Sequence, residues 1–436
     1  MTNLATNSAG HLTIGGCDAV ELAHQYGTPL VVYDLGIIQS QVQRFQQVFQ
    51  EEGVEHAVCY ASKAFANKAL YQFLNRLGCH ADVVSAGEIS MALAAGFPAE
   101  NLVFHGNNKS REELEYALEV GLGTIALDNF HEIDLLEELL AEHQQNVRVI
   151  LRITPGISAH THEYIQTGQV DSKFGFDLQS GQADEALERV LANPAFDVLG
   201  LHAHIGSQIF EEAGFEMAGQ TLVDLAAHWQ EEFGFTPRVI DVGGGFGIRY
   251  TEDDQPLPPE QFVRAILETI KTACRDKGLP LPAIWIEPGR SLVGPAGYSL
   301  YTVGSRKEVP GIRTYLALDG GMGDNIRPAL YQADYEAVLA NDVHAAVTEH
   351  VRLAGKYCES GDILIEDAPM PSAQPGDIVA ILATGAYGYS MASNYNLNGK
   401  PAVVFVHNGQ YYLVTRREEP VDLQQYDLDL PEEGAL

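Results

Sequence analysis

A repeated alternation between short apolar runs and amphipathic stretches constrains the fold of this 436-residue chain more than any other feature. Residues 111–120 and 132–142 carry apolar side chains at helical spacing, and similar stretches separate a series of β-rich runs. These runs are 58–62, 80–84, 102–105, 124–127, 147–153, 198–205, 239–242 and 283–286. Near-continuous apolar strands that alternate with helices are typical of a parallel sheet covered by helices.

The number of these units favours a closed barrel. Strand–helix units repeated eight times over residues 36–296 predict a parallel (β/α)8 barrel of the TIM type rather than an open doubly wound sheet. Polar residues cluster where each strand passes into the loop that follows it, and such barrels carry their chemistry on this face. We therefore expect functional side chains at the carboxyl ends of the strands.

The pattern changes after residue 296, where the apolar segments become short, alternating and separated by turns. Asn408-Gly409 is a strong hairpin signal. The segments are 314–319, 351–356, 377–382, 402–407 and 411–416. This pattern predicts an all-β, Greek-key-like domain over residues 297–420, with residues 1–35 lending it the run 31–34 as a strand. Residues 421–436 are expected to form a surface tail.

The charge balance restricts the possible partners. With 26 basic against 59 acidic side chains, the formal net charge is −33 at pH 7. This field repels nucleic acids and anionic membrane surfaces, so neither is expected as a partner. It also means that a few local arginines, rather than the overall field, must capture an anionic substrate.

Cysteine usage and the N-terminal sequence predict a soluble, cytoplasmic protein. The first six residues have neither the basic start nor the apolar core of a secretory signal. No run approaches the roughly 18 apolar residues of a membrane span. The cysteines are odd in number and show no Cys-x-x-Cys spacing, which indicates reduced thiols: Cys17, Cys59, Cys79, Cys274 and Cys358.

A lysine, Lys63, closes the apolar run 57–62. A strand of this kind is buried on both faces, so an amine at its end is expected to be desolvated at the rim of the barrel. Desolvation lowers the pKa of a lysine and makes it a nucleophilic amine, which Schiff-base chemistry requires. The alternative is a lysine that extends from the strand end into water.

Two further strand ends carry candidate binding groups. His202 and His204 lie two residues apart, on one side of a predicted strand. We expect His202 to pack in the barrel core and His204 to lie against a planar cofactor. Gly243, Gly244 and Gly245 follow the next strand, and their consecutive backbone N–H groups predict a nest for phosphate oxygens. Glycines that serve only a tight turn are the alternative.

Glu287 and Arg290 follow the last barrel strand. A carboxylate buried at a barrel mouth is costly unless it pairs with a cation, and a protonated pyridine nitrogen is such a cation. The guanidinium of Arg290 could hold a carboxylate or a phosphate. The alternative is that Glu287 and Arg290 form a pair with each other at the surface.

The β domain carries three weaker signals. Arg327 and Tyr331 combine a guanidinium with a phenol, which suits bidentate binding of a carboxylate. Cys358 and Glu359 place a thiol beside a carboxylate in a polar turn, which is unusual for a cysteine that only packs. Tyr387 lies in a small, glycine-containing loop after a strand.

Together these segments resemble the fold-type III pyridoxal-phosphate decarboxylases, and within that family the members that act on diaminopimelate. The resemblance extends from Gly27 to Tyr387, and many segments match in order. They are 60–64, 104–110, 172–175, 202–210, 287–290, 327–331 and 358–362. Residues 65–67 (Phe-Ala-Asn) depart from the Asn-Pro that many relatives carry after the Lys-Ala pair.

The resemblance implies a role for each candidate in binding pyridoxal 5′-phosphate. Lys63 would form the Schiff base, His204 would stack on the ring and Glu287 would bind the pyridine nitrogen. The other residues expected at the cofactor, several of them at its phosphate, are Ser207, Gly243, Gly244, Gly245, Arg290 and Tyr387.

The resemblance also implies the substrate contacts. Cys358 would donate a proton to the product, and Glu359 would bind the distal amino group of the substrate. The residues expected at substrate carboxylates or beside the substrate are Arg290, Arg327, Tyr331 and Tyr387. The family is dimeric with shared active sites, so Cys358 and Glu359 would act on Lys63 of the partner subunit.

The implied reaction is decarboxylation of meso-2,6-diaminopimelate to L-lysine and carbon dioxide, the last step of lysine biosynthesis. Decarboxylation of ornithine or arginine is an alternative, but those substrates have no distal carboxylate and would leave Arg327 idle. A metal-dependent barrel hydrolase could use His202 and His204 as ligands, although no nearby cluster completes a metal shell. A cofactor-binding homologue without catalysis should lack Lys63 or Cys358, and an alanine-racemase-like enzyme would need a tyrosine in place of Cys358.

Overall fold

The structure, a computed structural model, describes residues 4–156 and 172–430. The chain forms two compact units, one built from Met1–Gly36 with Ala296–Leu436 and the other from Ile37–Pro295. The extreme N-terminus and the last six residues of the predicted tail lie outside the described residues. Within the described ranges, no helix is both long enough and apolar enough to cross a membrane.

The elements of the barrel unit alternate in the predicted way. Before the barrel, the N-terminal segment, which belongs to the other unit, forms β1 (Thr13–Ile14), β2 (Cys17–Asp18), α1 (Ala19–Tyr26) and β3 (Leu30–Asp34). The elements that follow are α2 (Leu35–Glu51), β4 (His56–Ala61), α3 (Lys68–Arg76), β5 (His80–Val83), α4 (Ala86–Ala94), β6 (Leu102–Phe104), α5 (Arg111–Glu119), β7 (Thr124–Leu127), α6 (Phe130–His143), β8 (Val147–Thr154), β9 (Phe176–Asp177), α7 (Gln182–Ala192), β10 (Phe196–His202), α8 (Ala213–Phe233), β11 (Val239–Asp241), α9 (Pro259–Lys277), β12 (Ala283–Ile286) and α10 (Arg290–Val293).

The barrel closes on itself. Hydrogen-bonded neighbours follow the order β4, β5, β6, β7, β8, β10, β11, β12 and back to β4, and every pair in this circuit is parallel. This arrangement confirms the predicted (β/α)8 barrel. Its strands bury small and branched side chains, among them Ala57, Cys59 and Val103.

Side-chain caps order the loops that follow the strands. Ser85 and Asn129 accept hydrogen bonds from the first turns of α4 and α6, and Ser110 forms a capping box with Glu113 at the start of α5. An N-cap of this kind stabilises a helix by about 1 kcal/mol. Because these caps lie at the carboxyl ends of the strands, they fix the edge of the barrel at which the candidate site residues gather.

Two strand ends differ from the prediction where it matters for the site. The strand predicted over 58–62 is His56–Ala61, and Ser62–Ala64 forms a 3-10 turn after it. The strand predicted to reach residue 205 ends at His202, so the prediction that His204 shares that strand is wrong. Beyond His202 the chain turns through Gly206, whose φ of +147° favours glycine.

The C-terminal part of the chain is mainly strand. Its elements are β13 (Gly297–Val309), β14 (Arg313–Leu318), α11 (Arg327–Tyr331), β15 (Ala337–Leu339), β16 (Glu349–Ala354), β17 (Ile363–Met370), β18 (Ile378–Ile381), β19 (Ala402–His407) and β20 (Gln410–Thr415). The sheet order is β17, β16, β14, β13, β3, β19, β20, with β18 also on β13 and β15 on β18. Two short helices, α1 and α11, belong to this unit, so it is mainly rather than wholly β.

The long strand β13 organises this sheet. Its first half pairs with β3 and with β18, and its second half pairs with β14. The N-terminal strand β3 also pairs in parallel with β19. A single mixed sheet therefore draws on both ends of the chain.

Candidate active site

Lys63 lies in the 3-10 turn that follows β4. Its side chain is exposed, so the expectation of a desolvated amine is wrong. The turn carries Lys63 past the last residue of the buried strand. The charge of Lys63 still lies close enough to Asp82 on β5 and Glu88 on α4 to favour their ionised forms.

Glu287, directly after β12, is held between two histidines from other strands. His105 Nε2 lies 2.8 Å from Glu287 Oε1, and His202 Nε2 donates a hydrogen bond of 3.1 Å to Glu287 Oε2. All three side chains are buried. The two imidazole rings lie edge to face with centroids 4.8 Å apart. His202 is thus a core residue, as predicted, and it also donates a hydrogen bond to the Glu287 carboxylate.

This environment keeps Glu287 ionised. Burial alone would raise the pKa of the Glu287 carboxyl, but the charge of His105 and the contacts with both histidines outweigh it and hold the pKa well below its usual value. Burial opposes protonation of His105, yet the carboxylates of Glu287 and Asp82 raise its pKa. For His202 burial prevails and lowers the pKa to about 4. The cluster therefore favours the ionised form of Glu287, promotes protonation of His105 and keeps His202 neutral near pH 7.

Two further carboxyl groups border this cluster. Asp82 on β5 and Asp241 at the end of β11 are buried, and burial with the nearby Glu287 charge raises the pKa of both, most strongly that of Asp241. Asp241 Oδ1 accepts the Gly243 N–H at 2.8 Å, while its Oδ2 has no hydrogen-bond partner within the described ranges. Like charges so close together cannot all ionise, so Asp241 is the group that keeps its proton.

His204 lies half-buried in the loop after β10. Its Nδ1 accepts the backbone N–H of Gly244 at 3.1 Å, which places the proton of the neutral ring on Nε2. Burial, together with the charges of Lys63 and Arg152, lowers the pKa of His204 well below the ordinary histidine value. The ring is therefore neutral and fixed in one orientation.

The glycine turn at 243–245 can be built only from glycine. Gly243 and Gly245 have φ values of +70° and +107°. A Cβ on Gly244 would lie 2.0 Å from the Glu287 carbonyl oxygen, and one on Gly245 would lie 2.3 Å from the Gly206 carbonyl oxygen. The absence of side chains brings this turn into contact with the backbones of the two neighbouring strand ends.

The turn does not offer the predicted nest of three consecutive free N–H groups. Gly243 N–H donates to Asp241 and Gly244 N–H donates to His204, because both side chains reach back over the turn. Within the part of the chain that the structure describes, Gly245 N–H is the member of the three that has no protein acceptor. An anion at this turn would therefore meet one backbone donor.

Arg290 and Ser207 lie beside this turn and contact each other. Arg290 Nη2 donates to Ser207 Oγ at 3.0 Å, and Nη1 donates to the Tyr250 hydroxyl at 2.5 Å. Arg290 is buried at the start of α10. The alternative of a surface pair between Glu287 and Arg290 is wrong, because both are buried and Glu287 is held by histidines. Tyr250 was missed by the sequence reasoning.

The same cluster bears on the metal-site alternative. Among the described residues, His105, His202 and Glu287 place ligand atoms within 4.8 Å of one another. The sequence did not indicate this group, because its members are distant in sequence; its ligand atoms contact one another, with His202 Nε2 donating to Glu287. His204 is not part of this group, because its Nδ1 accepts the Gly244 N–H. A ligand pair of His202 and His204 does not form.

In the β unit, Arg327 begins α11 and is buried. Its Nη1 donates to the hydroxyl of Tyr335, and its guanidinium carbon lies 5.5 Å from the centroid of that ring. Tyr331 ends the same helix and is partly buried. The sequence reasoning did not identify Tyr335, which lies on the stretch that follows α11.

Cys358 and Glu359 are exposed in the turn between β16 and β17. The Cys358 backbone N–H donates to Asn396 Oδ1 at 2.9 Å, which connects this turn to the loop after β18. Tyr387 lies in that loop, partly buried, with a φ of +60° that is uncommon for a side chain of its size. The three residues are therefore carried by two connected loops of the β unit.

Sequence reasoning missed the groups that control Glu287. His105 lies in the matched segment 104–110, but a histidine one residue beyond a strand gives no sign of its partner. Asp82 and Asp241 each lie at a strand end, where polar side chains were expected in general. Their position at strand ends was a usable signal, but their contacts depend on closure of the barrel.

Comparison with known proteins identifies the barrel. The family described as "Pyridoxal-dependent decarboxylase, pyridoxal binding domain" matches residues 35–294. The diaminopimelate decarboxylase of Bacillus subtilis (strain 168) is 55% identical over 422 residues, covering 97% of this chain and 96% of the relative. That of Staphylococcus aureus (strain COL) is 44% identical over 94% of this chain and 96% of the relative.

Solved structures agree over nearly the whole chain. The diaminopimelate decarboxylase of M. jannaschii, in co-complex with L-lysine, superposes with a TM-score of 0.92 at 35% identity and covers 98% of both chains. The Helicobacter pylori enzyme complexed with L-lysine gives a TM-score of 0.84 at 31% identity over 93% of this chain and 98% of that chain.

Proposed function

The chain belongs to the pyridoxal-dependent decarboxylases, and we propose that it converts meso-2,6-diaminopimelate to L-lysine and carbon dioxide with pyridoxal 5′-phosphate as its cofactor. One observation carries the chemistry: Glu287 is buried and ionised between two histidines, in a barrel whose glycine turn and His204 lie alongside. The choice of substrate rests on relatives such as the B. subtilis diaminopimelate decarboxylase, which matches 97% of the chain.

The residues present fit this cofactor. Glu287 Oε1 lies 2.8 Å from His105 Nε2 but has no aligned hydrogen-bond donor within the described residues. It could therefore accept a hydrogen bond from a protonated pyridine nitrogen. A phosphate is matched by the Gly245 N–H, the Ser207 hydroxyl and the Arg290 guanidinium, the last two already in contact at 3.0 Å. Side chains at 243–245 would collide with backbone, so the turn stays open toward this group.

When bound to the amine of Lys63, pyridoxal phosphate supplies an electron sink for the pair left behind when the bond to the carboxylate breaks. Glu287 would hold a pyridine nitrogen in its protonated form, because a carboxyl whose pKa lies well below its usual value stays anionic beside it. His204 presents a neutral ring of fixed orientation, which suits stacking on a planar cationic group. The ε-amine of Lys63 is exposed and would be the group that holds the cofactor aldehyde.

The remaining site residues are proposed to bind and protonate the substrate. Diaminopimelate carries two amines and two carboxylates, so a guanidinium and a carboxylate are both needed at its distal end. We assign Arg327 and Tyr331 to the distal carboxylate, Glu359 to the distal amine and Cys358 to proton donation at the reacting carbon. Tyr387 is assigned to cofactor and substrate.

For Arg290 the contacts favour the cofactor over the substrate. Both of its terminal nitrogens are engaged, with Tyr250 and with Ser207, which leaves the guanidinium beside the proposed phosphate site. The substrate role also inferred for Arg290 from the family would require these bonds to be exchanged for new ones.

We further propose that the protein is a cytoplasmic homodimer in which Cys358 and Glu359 serve the barrel of the second copy. Unpaired cysteines support a reducing compartment: all five are free, four of them buried. The exposure of Cys358 and Glu359 supports a shared site, because a proton donor and an ammonium ligand need a covered surface to act on a substrate.

The proposal is tested by measuring lysine released from meso-diaminopimelate by the purified holoenzyme, beside ornithine and arginine. We expect lysine from diaminopimelate and no diamine from the other two. Release of a diamine from ornithine or arginine alone would keep the cofactor chemistry and refute the substrate. Lack of any product, with no visible absorbance from bound cofactor, would refute the assignment of Lys63.

A further inference from the structure

Three loops of the β unit carry the residues assigned to the substrate. The arginine loop, 319–327, leads from β14 into α11 and ends at Arg327. The cysteine loop, 355–362, connects β16 to β17 and carries Cys358. The tyrosine loop, 382–398, follows β18 and carries Tyr387. None of these loops is held by a strand ladder, so other contacts must fix their mutual positions.

The Asp362 carboxylate joins the first two loops. Its Oδ1 accepts the Met322 N–H of the arginine loop at 2.6 Å, and its Oδ2 accepts the Tyr357 N–H of the cysteine loop at 2.8 Å. The side chain is buried. A hydrogen bond to an ionised acceptor in a buried place is stronger than one between neutral groups.

The backbone around this carboxylate is shaped to receive it. A Cβ on Gly321 would lie 2.3 Å from Asp362 Oδ1, and a Cβ on Gly355 would lie 2.2 Å from Oδ2. The two glycines therefore leave just enough room for the carboxylate between the loops. The Lys356 N–H also donates to the Gly320 carbonyl at 3.0 Å, beside this contact.

The tyrosine loop is attached to both of the others. Asn396 Oδ1 accepts the Cys358 N–H at 2.9 Å, and the Ser393 N–H donates to the Gly323 carbonyl at 2.9 Å. Asn396 has a φ of +53°, in the left-handed region that asparagine adopts more readily than most residues. Its side-chain amide contacts the backbone of the residue assigned as proton donor.

We propose that Asp362 and Asn396 are positioning residues: Asp362 fixes the Arg327 loop against the Cys358 loop, and Asn396 fixes the backbone of Cys358. This inference rests on the proposed roles of Arg327 and Cys358. Asp362 is expected to affect both substrate binding and proton donation, whereas Asn396 is expected to affect proton donation alone. Neither residue touches the substrate in this scheme.

The first test compares D362N with D367N by hydrogen–deuterium exchange of the holoenzyme. The amide of D362N keeps one acceptor but turns a donor toward the other backbone N–H group, and in the narrow gap between Gly321 and Gly355 this repulsion should separate the two loops. Asp367 is an exposed residue of β17 whose partner is His350, which makes D367N a matched control. We expect faster exchange in both 319–327 and 355–362 for D362N only.

This exchange measurement does not depend on the reaction. Faster exchange confined to 355–362, or none at all, would overturn the claim that Asp362 joins the two loops. If the parent protein released no lysine from diaminopimelate, the proposed function would fail while the exchange result still decided the positioning role.

The second test uses steady-state kinetics on diaminopimelate. For D362N we expect KM to rise and kcat to fall, each by about tenfold, because a lost bond to a buried charge displaces both loops. For N396G we expect kcat to fall by about tenfold with KM within twofold of the parent value, since glycine adopts the φ of +53° and the Cys358 N–H loses its acceptor.

A general loss of folding would move both variants together and would not produce this difference. If D362N changed neither constant by more than twofold, or if N396G raised KM without lowering kcat, the proposal would be refuted. D367N should match the parent in both constants.

Discussion

Glu287 stays ionised inside the barrel because two histidine side chains meet its two oxygens, at 2.8 Å and 3.1 Å. The neighbouring Asp241 keeps its proton, so it adds no further full charge beside Glu287, while the Glu287 and Asp82 carboxylates favour the protonated form of His105. Groups whose pKa values are driven apart in this way are typical of sites that hold a proton on a defined atom.

His202 makes this arrangement sensitive to acid. Its pKa falls from 6.5 to about 4 in the folded chain. Between these pH values His202 is therefore protonated in the unfolded chain and neutral in the folded chain. The free energy of unfolding should therefore decrease as the pH drops from about 6.5 to about 4. H202Q keeps a donor toward Glu287 but cannot titrate, and it should lose about 3 kcal/mol less than the parent over this window.

Urea unfolding at a series of pH values would measure this difference. H350Q is the control, because His350 lies exposed on β16, away from the buried cluster. Equal pH slopes for the parent and H202Q would show that His202 is not the neutral buried histidine inferred from its surroundings.

At the scale of the elements, the glycine turn after β11 connects three strand ends. Its members contact the backbone of Ala203 and Gly206 beyond β10 and of Glu287 beyond β12. Each contact is too close to admit a Cβ. The proposed phosphate site thus depends on how closely neighbouring strands of the barrel approach one another at this edge.

G244A tests this dependence. A Cβ placed 2.0 Å from the Glu287 carbonyl oxygen must displace either the turn or Glu287 itself, so we expect pyridoxal phosphate to bind about tenfold more weakly or worse. Titration of the apoprotein with the cofactor, followed by absorbance, gives the affinity.

G87A is the matched control, since a Cβ there would meet Ser85 Oγ at an ordinary 3.6 Å. Gly87 lies within α4, where alanine is the better helix former. Unchanged cofactor affinity in G244A would mean that the turn is not part of the cofactor site.

Periodicity was sufficient to predict the barrel but not the centre of the second sheet. Thr124–Leu127 and Ala283–Ile286 match their predicted runs because each is short, apolar and bounded by turns. Gly297–Val309 escaped prediction because its second half, from Gly304, is largely exposed and polar and reads as a loop. That half is a strand because β14 pairs with it, which no local pattern records.

The site was predictable where a residue type alone suggests chemistry. Lys63 and Glu287 were identified from their places after strands, and His204 from its neighbour two residues away. The partners His105, Asp362 and Asn396 were not, because each acts through a contact with a residue far along the chain. The exposure of Lys63 was missed for a simpler reason: the strand ended earlier than its apolar run.

At the scale of the whole molecule, the proposed dimer can be tested with two inactive variants. K63A lacks the cofactor amine and C358A lacks the proton donor, so each should be nearly inactive alone. If sites are shared, a mixed dimer contains one site with both natural residues, and activity should return when the variants exchange subunits.

A mixture of K63A with K63M serves as the control, because no exchange can restore the missing amine. Absence of recovery after verified subunit exchange would mean that Lys63 and Cys358 act within one chain. A dimer would then not be needed to complete the active site, while the assignments of the individual residues would stand.

The pairing of β3 with β13 and β19 also has a consequence for how the protein is made. Roughly 260 residues separate Asp34 from Gly297, so at ribosomal speeds β3 waits on the order of 15–50 seconds before its first sheet partner is synthesised. During that interval the strand Leu30–Asp34 is a nascent apolar edge, and the barrel that follows it cannot close until its last strand, Ala283–Ile286, has been synthesised. A chaperone that shelters the emerging N-terminus, or a changed elongation rate before residue 297, should therefore influence the yield of folded protein.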